Sequence, residues 1–462
     1  MSVWDRVYAS LPVAAQNAAV SLYGAYRHWL LLGGSYRDYV EEYRSRESFT
    51  HEQWRSWQAH TLGQVLSMCV ESVPYYRESW NSEEKAAARA GDLSQLPLLD
   101  KQLVRESPER FCRTDVRPWL RVSFDTSGST GTPIRTVWTL EEARRSRAVR
   151  EARSNMWAGV SYGLPRATFS GRLVEPNPTS GGPFYRYNRV DRQVYFSAFH
   201  LGPSSAPCYV AALSHHDVQW LTGYAYSCYL LAKLALEQGL TVPRLRAVIT
   251  TSEKLTLPMR SVIEEAFGCP VYEEYSAVEN VLFASECEFG QLHVSPDVGV
   301  LEILRPDGTA CAPGEVGEVA ATGLMRTFQP LVRYRLGDVA AWDDEPCSCG
   351  RAMPVLKEVV GRIEDAVVGP DGRRVRRFHG LFVDQPHVRE GQVIQEDASV
   401  IEVRVVVSDG FGERDAQEIA ARVQQRLGTQ VSVRVQVVDS IPRTQAGKFR
   451  AVVSLLDGQE AT

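Results

Sequence analysis

Apolar and polar positions change their rhythm several times along the chain. Residues 1 to 120 read as mostly helical, and EEKAAARA (83–90) and EEARRSRAVREARSNMW (141–157) are rich in helix formers. Between these two stretches, VSF and IRTVWT have the composition of short strands. From Arg244 onward the pattern alternates: LRAVITT, then PMRSVIEEAFG, then CPVYEEYS. That order predicts a β-α-β unit and a parallel sheet. A strand-rich section follows, in which VGVLEIL, GEVGEVAATGL and LVRYRLGDVAAW are separated by turn signals such as Pro306-Asp307-Gly308. After Gly361 a compact strand-helix-strand module is predicted from SVIEVRVVVSD, DAQEIAARVQQRLG and VSVRVQVVDSIP. The fold class is therefore α/β, with a domain boundary at residues 361 to 366 separating 1–361 from 362–462.

A chain of 462 residues exceeds what one core organises, which agrees with two domains. Its net charge of −5 lacks the basic surplus that nucleic-acid binders carry, so a small polar ligand is expected and no nucleic acid. The apolar run LPVAAQNAAVSLYGAYRHWLLLGG is broken by Gln16, Asn17, Arg27 and His28, so no integral membrane segment is expected there. An amphipathic helix docked on the body or on another subunit fits it, as does one resting on a lipid surface. Nine irregularly spread cysteines with no apparent export signal predict reduced thiols and a cytoplasmic location. Of 51 basic residues only six are lysines, so arginine is the default cation and Lys448, in a loop, stands out.

The stretch FDTSGSTGTPI (124–134) is unsuited to a helix interior or a core strand. Gly128 and Gly131 open backbone conformations closed to other residues, and Thr126, Ser127, Ser129 and Thr130 place hydroxyl groups close together. Successive N–H groups in such a loop form an anion-binding concavity. A flexible Ser/Gly linker has the same composition, but the two flanking strands make this a tight turn. The Lys-Ser/Thr pair of a Walker A loop is absent.

TSGSTGTP resembles the phosphate-binding loop of the adenylate-forming superfamily, whose members activate carboxylic acids as acyl-adenylates. EEYSAVEN (273–280) resembles the Y-G-x-T-E motif, LVRYRLGDVA (331–340) the Y-R-x-G-D motif, GRIED (361–365) the hinge, and PRTQAGKFR (442–450) the loop of the catalytic lysine. Within the superfamily the chain is most similar to the phenylacetate-CoA ligase-like branch, including relatives encoded with capsule genes, through LPVAAQNAAVSLYG, YFSAFHL, LTGYAYS, ASECEFGQLHVSPD and CSCGRAMPVLKEVVGR. The resemblance implies a large multi-sheet N-terminal domain and a small, mobile C-terminal domain.

It also implies roles. Lys448 would bridge the substrate carboxylate and the ATP α-phosphate, where two anions meet and fixed positive charge is needed. Glu279 would hold Mg²⁺, a hard cation that prefers oxygen. Asp338 would accept from the ribose hydroxyls, with Arg335 or Arg362 near phosphate or ribose. Ser252, Glu253, Glu274 and Tyr275 would wall the adenine, and Glu364 would be the hinge. Val278 departs from the motif, which has a hydroxyl there, and Ser276 is the neighbour that could supply it. SAFHL and TGYAYS would line the acid pocket. There Phe199, His200, Tyr224, Ala225 and Tyr226 suggest a flat or aromatic acid, with His200 either near the carboxylate or a satisfied core histidine.

Cys287-x₅-His293 and Cys347-Ser348-Cys349 form a separate set of three thiols and an imidazole. Four such ligands make a closed tetrahedral site for structural Zn²⁺ that would staple two loops together, and free thiols are the alternative. The expected reaction uses ATP and Mg²⁺ to make an acyl-AMP from a small carboxylic acid and passes the acyl group to coenzyme A. A carrier-protein phosphopantetheine or an amine is the alternative acceptor. A catalytically weak nucleotide-binding scaffold is the alternative of another class. A monomer or a homodimer is expected.

Overall fold

The computed structural model describes residues 3–125, 134–172, 174–175, 181–362, 367–370, 374–375, 381–382, 385–444 and 447–456. The glycine-rich stretch from Thr126 to Gly131, which includes Ser127, Gly128, Ser129 and Thr130, lies outside the described residues, as does Glu364.

Helices dominate the first third: α1 (Val3–Ser10), α2 (Val13–Leu32), α3 (Tyr36–Ser45), α4 (His51–Ser72), α5 (Pro74–Ser79), α6 (Ser82–Ala90) and α7 (Lys101–Glu106). Strands β1 (Arg121–Asp125) and β2 (Arg135–Thr139) then pair antiparallel and flank the glycine-rich stretch. Helix α8 (Leu140–Val149) follows. Thr139 caps it by accepting from the Glu142 N–H at 3.2 Å, while the Glu142 carboxylate accepts from the Thr139 N–H at 2.7 Å. This reciprocal pair fixes where the helix starts. Its last turn widens into a π-helix over Arg150–Asn155, a form that tends to mark functional sites. Within that turn Arg153 is wholly buried and forks onto Asp297 at 2.6 and 2.8 Å.

The middle of the chain contains β3 (Arg166–Ser170), β4 (Tyr185–Asn188), β5 (Gln193–Ser197), α9 (Ala206–His215), β6 (Trp220–Tyr224), α10 (Ala225–Glu237), β7 (Ala247–Thr251), α11 (Leu257–Phe267) and β8 (Val271–Ser276). Then come β9 (Phe283–Glu286), β10 (Leu292–Val294), β11 (Gly299–Leu304), β12 (Gly317–Gly323), β13 (Tyr334–Trp342) and β14 (Val355–Arg362). These strands form a sheet of order β11-β12-β13-β14-β10-β9-β8-β7-β6-β3-β5-β4. The β7-α11-β8 unit is parallel, as the alternating pattern predicts. Parallel pairing covers β8, β7, β6, β3 and β5 and turns antiparallel at β9 and at β4.

Contacts divide the chain into two compact units, one of residues 1–336 and 340–358, the other of residues 337–339 and 359–462. The second adds β15 (Val367–Val368), β16 (Arg374–Val375), β17 (Val388–Asp397), β18 (Val400–Val407), α12 (Glu413–Leu427), β19 (Ser432–Val437) and β20 (Val452–Ser454). The predicted strand-helix-strand is β18-α12-β19, with its strands parallel. Strands β17 and β20 extend it to the order β19-β18-β17-β20. Ile419, Val423 and Leu427, spaced four apart on α12, pack with the alternate residues Ile401, Val403 and Val405 of β18. Each of these fully buried side chains contributes about 1.5–3 kcal/mol, which makes this face the core of the small unit.

Helix α2 docks on the large unit, burying Gln16, Gly24, Leu30 and Leu31. Among the described residues no helix is long and apolar enough to cross a membrane.

Candidate active site

Strands β6, β7 and β8 run parallel, so their C-terminal ends share one edge, the place where open α/β sheets receive ligands. A cavity of about 350 Å³ lies against these strands, and Tyr224, Thr251, Ser252 and Glu274 line it. Gly223 belongs to its wall for a steric reason. Its φ is +143°, and a Cβ there would fall 2.2 Å from the Phe169 carbonyl oxygen.

Ser252 holds a left-handed φ of +69° directly after β7, a conformation that non-glycine residues rarely adopt outside constrained sites. The next carboxylate, of Glu253, accepts from the Tyr226 N–H at 2.9 Å in the first turn of α10, where the helix dipole favours an anion. Glu274 on β8 pairs with Arg150 at 3.2 Å and accepts from the Ser276 hydroxyl at 3.1 Å. Ser276 also accepts from Arg150 at 3.2 Å, so its hydroxyl belongs to this cluster. Tyr275, between the two, is half-buried opposite Ala284 of β9.

Glu279 lies in the turn after β8, which ends in a left-handed Asn280 at φ +52°. The buried Glu279 carboxylate accepts the Tyr334 hydroxyl at 2.7 Å, and its carbonyl accepts from Arg326. A carboxylate is a hard oxygen donor of the kind divalent cations prefer. Val278 in the same turn is exposed and offers no hydroxyl. Earlier on β8, the half-buried Glu273 lies beside Glu286, which accepts its N–H at 2.7 Å and is forked onto Arg260 at 2.7 and 2.9 Å. Burial first, and then the Glu286 carboxylate, push the Glu273 pKa up to about 7.

On β13, Arg335 forks onto Glu318 of β12 at 2.8 Å and 2.5 Å, an engagement that raises its pKa. Asp338 pairs with Arg362 of β14 at 2.9 Å. In the small unit Lys448 closes a tight turn. Its N–H donates to the Thr444 hydroxyl at 3.0 Å, its carbonyl accepts the Thr444 N–H at 2.9 Å, and Gly447 supplies φ +74°. The base of that turn is tied by Arg443, which forks onto Glu390 at 3.0 and 3.0 Å and lies over the Phe449 ring.

Of the five residues expected to line the acid pocket, Tyr224 borders the cavity. His200 hydrogen-bonds the Ser197 hydroxyl at 2.8 Å and stacks on Phe184, Phe199 is exposed, and Ala225 and Tyr226 are buried in the first turn of α10. The cavity wall also contains arginines that the motifs do not include, among them Arg147 and Arg150. Their i, i+3 spacing on a predicted helix was the available signal, but helix-forming arginines on a surface look the same.

The cysteine and histidine pairs meet. The ligand atoms of Cys287, His293, Cys347 and Cys349 all lie within 4.8 Å of one another. Cys287 Sγ is 3.6 Å from Cys347 Sγ, and Cys349 Sγ is 3.3 Å from His293 Nε2. Backbone N–H groups of Phe289 and Cys349 donate to the sulfurs of Cys287 and Cys347 at 3.4 and 3.5 Å. Burial lowers the His293 pKa and keeps its imidazole neutral, the form that ligates. Three soft sulfurs and one nitrogen in a closed cluster have the donor chemistry of a structural zinc site.

Residues 368–455 match the family described as the CapK C-terminal domain. The chain is 25% identical to protein CapK of Staphylococcus aureus over 97% of its own length and 99% of that protein's. It is 24% identical to phenylacetate-coenzyme A ligase of Thermus thermophilus over 88% of its length and 98% of the relative's. Among solved structures, a 2-hydroxyisobutyryl-CoA ligase in the postadenylation state, in complex with 2-HIB-AMP, is similar in fold. The TM-score is 0.66 at 22% identity, with 89% of this chain and 91% of the other covered. The fold is thus the one seen in acyl-adenylate-forming CoA ligases. In sequence the chain is similar to CapK and to phenylacetate-coenzyme A ligases along most of its length, in agreement with the resemblance its motifs show.

Proposed function

We propose that the protein is an ATP-dependent acid–thiol ligase that makes an acyl-AMP from a small carboxylic acid and transfers the acyl group to coenzyme A. The observation that carries this reading is the convergence of Tyr224, Ser252 and Glu274 on one cavity at the C-terminal edge of β6, β7 and β8. The acid's carboxylate oxygen attacks the α-phosphorus of ATP and pyrophosphate leaves. The thiolate of coenzyme A then attacks the acyl carbonyl and AMP leaves. Glu279 holds Mg²⁺, which supplies positive charge against the phosphates. Lys448 supplies a point charge between the two reacting anions. Asp338 accepts the ribose hydroxyls, with Arg362 and Arg335 beside it, and Ser252, Glu253, Glu274, Tyr275 and Ser276 border the nucleotide with the loop Thr126 to Gly131. Domains 1–361 and 362–462 exchange poses about Glu364 between the half-reactions. Zinc at Cys287, His293, Cys347 and Cys349 joins two loops and takes no part in the chemistry. The aromatic lining by Phe169, Tyr195, Trp220 and Tyr224 supports a flat acid.

Exchange of labelled pyrophosphate into ATP, run over a panel of acids, tests the adenylation step. Exchange that depends on an acid is expected. Its absence with every acid would favour the second reading, a nucleotide-binding scaffold, to which the exposed Val278 points. Replacing coenzyme A with carrier proteins and amines then identifies the acceptor.

A further inference from the structure

The cavity at the strand ends is rich in positive charge. Its wall includes the guanidinium groups of Arg27, Arg147, Arg150, Arg166 and Arg172, against the carboxylates of Asp191 and Glu274. Both carboxylates are engaged. Asp191 binds His28 at 2.7 Å and Asn188 at 2.9 Å, and Glu274 binds Arg150. Arg166 is held by neutral acceptors, the Tyr162 carbonyl at 2.9 Å and the Gln193 amide at 2.7 Å.

The other three rest on aromatic faces: Arg147 over Tyr162 at 4.7 Å, Arg172 over Tyr195 at 4.8 Å and Arg27 over Phe124 at 5.7 Å. Among the described residues, no carboxylate forms an ion pair with Arg27, Arg147 or Arg172. Burial lowers the pKa of Arg27, and the charges of Arg147 and Arg172 act in the same direction. Like charges gathered in a partly enclosed space repel, and a bound anion relieves that repulsion.

The position of these groups matters as much as their number. Arg166, Gln193 and Trp220 begin β3, β5 and β6, whereas Tyr224 and Thr251 end β6 and β7. All border the same cavity, so it runs the length of a five-residue strand, roughly 13 Å. Arg147 and Arg166 share the Tyr162 ring at the end away from the nucleotide residues. An acid with its reacting carboxyl at the strand ends would extend toward them.

We propose that the acid activated here carries a second anionic group, a carboxylate or a phosphate, held by Arg27, Arg147 and Arg172. This rests on the ligase reading and narrows its substrate class from acids in general to acids with a second oxyanion. A planar guanidinium suits either group through paired N–H donors.

The test uses the whole protein and three matched acids: phenylacetate, its 3-carboxymethyl derivative and its 3-phosphono derivative. Pyrophosphate exchange should favour one or both dianionic acids over phenylacetate by about a hundredfold in kcat/KM, because a site built for polar groups discriminates strongly against an analogue that lacks them. The better of the two identifies the oxyanion. Arg147→Met and Arg172→Met should each erode that preference, and Arg147→Lys, which keeps the charge without the paired donors, should retain part of it. Phenylacetate equal to or better than both dianions would overturn the proposal while leaving the ligase reading intact, as would a preference that survives both methionine variants. Exchange with none of the acids would count against the ligase reading. Thermal shifts would then decide the proposal alone: larger shifts with the dianions support it, and equal shifts overturn it.

Discussion

His293 Nδ1 lies 3.3 Å from the carbonyl oxygen of Met353. Donation across that contact places the ring proton on Nδ1 and leaves Nε2, beside Cys349, as a lone-pair ligand. The loop before β14 thus orients a histidine on β10. We expect the purified protein to contain about one equivalent of zinc per chain, lost when Cys347 and Cys349 are both changed to Ser. Elemental analysis and a melting curve check this. The double variant should melt several degrees lower, and metal-free protein of unchanged stability would refute the site.

Lys448 sits in a turn closed by Thr444 and Gly447, with its backbone held by local hydrogen bonds. Lys448→Ala should therefore leave the small unit folded and cut pyrophosphate exchange by about 10²–10³-fold, the size of losing one preorganised donor. Thioester formation from preformed acyl-AMP should fall much less. Undiminished exchange would remove Lys448 from the reaction.

Val278 is exposed in the turn that carries Glu279, and the nearby Ser276 hydroxyl is committed to Glu274 and Arg150. Val278→Thr should add a donor toward the nucleotide phosphates. We expect exchange to rise roughly three- to tenfold, about 1 kcal/mol of transition-state stabilisation. A rate unchanged or lowered would show that this turn does not contact phosphate.

Glu273 supplies a pH dependence. Its pKa in the folded protein is pushed up to about 7 from an ordinary 4.5, so its neutral form is favoured by folding. The associated stability is full below about pH 4.5 and is lost as pH rises through 7. Glu273→Gln should be nearly neutral at pH 5 and raise the melting temperature by about 1–3 °C at pH 8. An equal effect at both pH values would contradict the raised pKa.

Much of the fold was legible because its signals are local. The alternation LRAVITT, PMRSVIEEAFG, CPVYEEYS became β7, α11 and β8, and the run of valines after residue 400 became β18. β17 and β20 were harder to foresee, since β20 is short and pairs with β17 only after β18, α12 and β19 have intervened. The cysteine and histidine set was legible as a spacing, but only the antiparallel pairing of β10 with β9 and β14 brings both halves together.

By itself the sequence determined the order of elements and the chemical groups available: a glycine-hydroxyl loop, a lysine in a turn, carboxylates at strand ends, three thiols and an imidazole. Periodicity and turn chemistry act within a few residues, so they survive in a linear reading. Tertiary structure alone decided which arginines face one another. Arg27 comes from α2, Arg147 from α8, Arg166 from β3 and Arg172 from the segment after it, and nothing in their spacing relates them. Their shared cavity exists because β3, β5, β6 and β7 lie side by side in a sheet order unlike the chain order. Charge acts through space, so a site made by convergence is written in the fold and not in any one segment.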